Sequence, residues 1–188
     1  MGGDLGTEDV QVHARGILDF WFGLPPEKHF AKDEALDREI AARFGPLRER
    51  VLATEAAGWR DDPDALLAAI ILLDQFSRNL HRGEAQAFAA DPLARALVDE
   101  AIGRGWEGRY PPDRRVFLYL PLMHAEDQAL QALSVKAYEA LGLEENTQFA
   151  REHCDVLARF GRFPGRNAAL GRESTAEELA WLEQGGGW

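Results

Sequence analysis

Three segments set groups able to do chemistry inside stretches that otherwise read as apolar helix, and such local contradictions are where functional sites are expected. The first is Asp74-Gln75-Phe76-Ser77-Arg78-Asn79-Leu80-His81-Arg82. Asp74 and Arg78 stand four residues apart, as do Gln75 and Asn79, so each pair shares one helical face. Asp74 is the residue type a general base needs, while Arg78, Asn79 and Arg82 can grip a ligand's oxygens. The second is His124-Ala125-Glu126-Asp127-Gln128-Ala129-Leu130-Gln131. Read as the start of a helix, it puts His124, Asp127, Gln128 and Gln131 on one face, with His124 and Asp127 as an acid–base pair. No second ligand-bearing helix accompanies it, so no metal site is expected. The third is Arg159-Phe160-Gly161-Arg162-Phe163-Pro164-Gly165-Arg166-Asn167, with Arg172 beyond. Four arginines in fourteen residues make a basic patch in an acidic chain. The forks of Arg162 and Arg166, with Asn167 beside them, match carboxylate or phosphate. Two sets of partners are open: the chain's own Asp74, Glu126 and Asp127, or an anionic ligand.

Helices must position these groups, because helical punctuation recurs and strand punctuation is nearly absent. Thr7 can cap a first helix through Val10, Ile17, Leu18 and Trp21, and Gly23 stands just past its end. A helix from about Asp33 carries Leu36, Ile40 and Phe44. Gly45-Pro46 interrupts it, and another runs on to Gly58. Asp62-Pro63 opens a helix to about Leu80 that is apolar nearly all round, the pattern of a helix surrounded by others. Asp91-Pro92 repeats the start device, and Pro111-Pro112 opens a helix that Pro121 breaks or kinks. A helix from about His124 to Leu141 follows. Asn146 can cap the next, with Phe149, Val156, Leu157 and Phe160 inward and Gly161 at its end. Ser174-Thr175-Ala176-Glu177 reads as a capping box before a short stripe of Leu179 and Leu182. The expectation is an all-α protein of about eight helices in antiparallel pairs, stacked as a bundle or a superhelix. No clean period of about 34 residues stands out.

The chain of 188 residues, 46% apolar and 28% charged, reads as one helical domain over 1–188, with 1–7 and 184–188 frayed. A net charge of -11 argues against a nucleic-acid partner and against docking on anionic membrane. A lone cysteine, Cys154, excludes an intrachain disulfide; it reads as a small buried residue in a cytoplasmic protein. The start lacks the pattern of a signal peptide. No nucleotide-binding, nucleophile-elbow or Cys-x-x-Cys motif occurs, so no cofactor is expected.

The strings DFWFG (Asp19 to Gly23), IILLDQFSRNLHRG (Ile70 to Gly83), FLYLPLMHAEDQALQ (Phe117 to Gln131) and RFGRFPGRNAALGRESTAEELAWL (Arg159 to Leu182) together resemble the bacterial family known as domain of unknown function 924. The resemblance implies an all-helical fold similar to the tetratricopeptide-repeat superfamily, and it implies no activity. Two positions depart from the family pattern. Gly165 stands where the family usually has histidine, which speaks against that histidine being an obligatory base. His29-Phe30 stands where it tends to have Trp-Phe, an aromatic contact only.

The leading expectation is a binding module that holds a peptide, a partner protein or a small anionic ligand through Arg78, Asn79, Arg82, His124, Gln131, Arg162, Arg166 and Asn167. The alternative is an enzyme on a small anionic substrate, with Asp74, His124 and Asp127 as acid–base groups and the arginines as a clamp.

Overall fold

The computed structural model describes residues 6–187; Met1 to Leu5 and Trp188, expected to fray, lie outside them. Among the described residues the fold is all-α, with eight helices and no strand. Helix α1 (Thr7–Phe22) has Gly6 at its N-cap, where Thr7 was expected. Helix α2 (Glu34–Ala53) starts as expected, the Asp33 carboxylate accepting the N–H groups of Ala35 and Leu36 at 3.0 and 3.1 Å.

Gly45-Pro46 does not interrupt α2. Proline removes the donor for the carbonyl four residues back, here Ala42, but Ala42 and Pro46 are both exposed and water can serve that oxygen. Gly45 is buried, and a Cβ there would lie 3.5 Å from Leu80 Cδ2, so its small size admits the end of α3. The helix also stops at Ala53, short of the expected Gly58. Glu55 and Ala56 turn left-handed at φ 50° and 57°, and the Ala56 N–H closes on Val51 O at 2.8 Å.

Helix α3 starts at Pro63–Ile71, passes through a wider π turn at Leu72–Phe76 and ends with Ser77–Leu80. Asp62 caps it through the Ala65 N–H at 2.9 Å. Ala65 to Leu73 and Phe76 are wholly buried, as the all-round apolar pattern requires. The helix packs against α1, α2 and α4 (Asp91–Gly103). Asp91 is not the cap of α4; Ala90 is, and the Asp91 carboxylate is used elsewhere. Helix α5 (Pro112–Met123) runs two residues past Pro121 before ending.

Helix α6 (Gln128–Leu141) starts later than expected, after Asp127, so His124, Ala125 and Glu126 form the turn before it. Helix α7 (Glu144–Phe160) starts after Leu143, not at Asn146. Helix α8 (Ala176–Glu183) has its capping box one residue on, between Thr175 and Glu178. Phe149 and Leu179, expected inward, are 42% and 50% exposed, and Cys154 is half-buried.

Two compact units divide the chain: one of residues up to Arg82 with Gln86–Leu118, the other of Gly83–Ala85 with the residues from Tyr119 onward. In the second, α6 packs on α7, and α8 packs on the turn Pro164–Arg166. Val156, Leu157 and Phe163 form a small core there with Phe160 and Trp181. Among the described residues no helix is long and apolar enough to cross a membrane.

Candidate functional site

In the first unit the π turn of α3 buries Asp74 and Gln75. Asp74 Oδ1 stands 3.1 Å from Arg78 Nη1, and Oδ2 accepts from Gln75 Nε2 at 2.6 Å. The Arg78 fork closes on Asp91 of α4 with two bonds, 2.9 and 3.0 Å, and also donates to Asp74 O at 2.9 Å. Asn79 Nδ2 donates to Asp37 Oδ1 at 2.8 Å. Arg82 grips the same carboxylate twice, at 2.9 and 2.8 Å. Three expected ligand-holding side chains are thus spent on acids of α2 and α4. Arg48, which sequence reasoning passed over, is almost wholly buried and donates to Ser77 Oγ at 3.0 Å, Glu49 Oε1 at 2.8 Å and Gln86 O at 3.2 Å. It ties α2 to the end of α3 and to the loop beyond.

In the second unit the other two segments meet. Arg166 Nη2 donates to His124 O at 2.8 Å, and the His124 ring lies 6.2 Å from that of His153. Glu126 accepts the Arg172 fork at 2.7 and 2.9 Å and the Phe163 N–H at 2.7 Å. Burial alone would raise the Glu126 carboxyl, but the bonds from Arg172 and Phe163 outweigh it and hold the group below its ordinary value. Arg162 grips Glu178 of α8 at 2.7 and 2.8 Å. That grip, with the Thr175 N–H and Asn167 Nδ2, lowers the buried Glu178 carboxyl to about 2. Asn167 is buried; its amide donates to Ser174 Oγ at 3.0 Å and Glu178 Oε2 at 3.2 Å, and its oxygen accepts from Arg172 at 2.9 Å. Asp127 uses Oδ1 to cap α6 through the N–H groups of Ala129 and Leu130, at 2.9 and 3.0 Å. It does not share a helical face with His124.

Gln131 behaves differently from these paired groups. Its Nε2 donates to Met123 O at 2.6 Å and Ala125 O at 2.8 Å. Two carbonyls can only accept, so they fix which end of the amide is nitrogen. The other end, Oε1, is buried, and no donor among the described residues reaches it. One turn on, Ser134 Oγ is equally buried and unpartnered. Gln131, Ser134 and Tyr138 are the buried residues of α6, all at 0% exposure, while Leu133 is 41% exposed. This helix turns polar side chains inward and a leucine outward. Tyr138 stands edge-on to Tyr119, ring centroids 6.0 Å apart. On α7, Thr147 and His153 are buried, and His153 Nδ1 donates to Phe149 O at 2.8 Å.

Sequence reasoning named Gln131 but missed Ser134 and Tyr138. The signal was their spacing: 131, 134 and 138 follow the three-and-four step of a buried stripe. It was hidden because Leu130, Leu133, Ala137 and Leu141 follow the same three-and-four step and offer a more apolar stripe beside it. Among the described residues no group of three or more His, Cys, Asp or Glu side chains is placed to hold a metal ion.

The model of the family described as "Bacterial protein of unknown function (DUF924)" matches residues 17–186. A solved structure, the protein of unknown function ATU0120 from Agrobacterium tumefaciens, is similar with a TM-score of 0.89 and 44% identity, covering 94% of this chain and 99% of that one. Comparison with curated proteins gives no match.

Proposed function

The chain belongs to the DUF924 family, and on that footing we propose that it is a helical binding module whose second unit takes a small polar ligand at the inward stripe of α6. The observation that supports this reading is the pair Gln131 Oε1 and Ser134 Oγ, both buried and without a partner among the described residues. Each such atom costs about 1–3 kcal/mol, against a total stability of only about 5–15 kcal/mol. Aliphatic side chains at these two positions would avoid that cost. A guest that completes these bonds returns the cost as affinity. The tetratricopeptide-like stack and a cytoplasmic setting belong to this proposal too. The first is supported by α6 and α7, an antiparallel pair joined by two residues, and the second by the single cysteine.

Two competing readings have less behind them. An anion clamp needs open guanidinium groups, but Arg78, Arg82 and Arg162 close on Asp91, Asp37 and Glu178. An acid–base enzyme needs an open carboxylate, but Asp74 is held by Arg78 and Gln75 and Asp127 caps α6.

The test is a thermal-shift measurement with the small-metabolite fraction of a bacterial lysate. A ligand at a hundred times its Kd adds about 2.7 kcal/mol of stability. The expected outcome is a rise in Tm for the wild type and a much smaller rise for Ser134→Ala. No rise in the wild type, or equal rises in both, would overturn the proposal.

A further inference from the structure

We infer that the group received by Gln131 and Ser134 is an uncharged hydrogen-bond donor, of the carboxamide or hydroxyl class, and not a carboxylate or a phosphate. The inference rests on the binding reading above and concerns only the chemistry of the guest.

The fixed orientation of the Gln131 amide carries it. A free glutamine adapts by turning its amide over, offering N–H to an acceptor or C=O to a donor. Gln131 cannot. Turning it would aim Oε1 at Met123 O and Ala125 O, which now lie 2.6 and 2.8 Å from Nε2, exchanging two bonds for two repulsions. The atom left facing inward is therefore always an acceptor, and it requires a donor. At neutral pH a carboxylate, or a fully ionised phosphate ester, brings only acceptors to that oxygen.

Charge points the same way. A buried anion needs a cation to offset its desolvation. The Arg162 and Arg172 charges are matched by Glu178 and Glu126, and Arg166, which donates to the neutral His124 O, is also drawn on by the charge of Glu126. A buried ammonium is no better served, because Glu126 and Glu178 already belong to those arginines. A neutral guest needs no counter-charge. Ser134 suits the second half of such a guest, since its hydroxyl can donate as well as accept. Standing three residues apart, Gln131 and Ser134 project from one face a turn apart. A carboxamide can thus give its N–H to Gln131 Oε1 and take the Ser134 O–H on its own oxygen.

The experiment uses propionamide and propionate, which share shape and differ in charge and donors. Each is titrated against the full chain by thermal shift and by ligand-observed NMR, with Ser134→Ala alongside. Gln131 is left unchanged, because its amide also ties down the turn before α6. The expected result is a Tm rise and binding with propionamide, neither with propionate at equal concentration, and about tenfold weaker propionamide binding in Ser134→Ala. Propionate binding as well as propionamide, or Ser134→Ala binding propionamide as the wild type does, would overturn the inference. If neither probe binds while the metabolite fraction still raises the wild-type Tm, the inference falls and the binding module stands. If the fraction has no effect either, both fall.

Discussion

Glu178 is held by Arg162, the Thr175 N–H and Asn167, and its carboxyl is lowered from the ordinary 4.5 to about 2. A carboxyl lowered by folding stabilises the folded state fully above its unfolded value and loses that contribution as pH falls through the folded one. Thermal denaturation should therefore show Tm falling between about pH 4.5 and about pH 2, and Glu178→Gln should lower Tm at neutral pH while flattening that limb. Equal acid limbs in the two proteins would contradict the assignment. Arg172 makes a second such centre, binding Glu126, Asn167 and Phe163 O. Lysine keeps the charge and loses the fork, so Arg172→Lys should cost about 1–3 kcal/mol by denaturant titration. At this scale the sequence showed that acids and arginines cluster, and it paired Asp74 with Arg78. It could not show that Asp37, Asp91 and Glu178 would arrive from other helices, because such pairing depends on how helices pack and not on spacing along the chain.

Helix boundaries were legible where a side chain caps: Asp33 and Asp62 stand where expected. They were misread where packing overrides local punctuation. Gly45-Pro46 has the look of a break, yet α2 continues because the proline side faces water and the glycine side receives Leu80. The π turn of α3 has no signature in LLDQF at all, since an extra residue in a turn answers to the shape of the surrounding helices. Two glycines separate these effects. Gly45→Ala places a methyl at ordinary contact distance in a helix interior and should raise stability by about 0.5–1 kcal/mol. Gly161→Ala forces a side chain onto φ +69° at the end of α7 and should lower stability by about 1–2 kcal/mol. Chemical denaturation of both variants checks the contrast; a loss at Gly45 would mean the approach of Leu80 is tighter than the backbone shows.

Over the whole molecule the all-α class was legible, as was the central place of α3 within the first unit, because long apolar periodicity and strong caps agree with each other there. The 44% identical relative has the same fold over nearly its full length. The inward polar stripe of α6 was half legible. Gln131 stood out as a polar residue in a marked segment, whereas Ser134 and Tyr138 were masked by Leu130, Leu133 and Leu141, of which Leu133 is exposed and the other two are half-buried. The centre of the account is that α6 holds Gln131 Oε1 and Ser134 Oγ inside, with no bond to any of the described residues. The most direct measurement is the stability of ligand-free Ser134→Ala against the wild type by equilibrium denaturation. A hydroxyl kept for a guest burdens the empty protein, so its removal should raise stability by about 1 kcal/mol. A loss of about 1 kcal/mol or more would show that the Ser134 hydroxyl supports the fold itself, and would contradict the account.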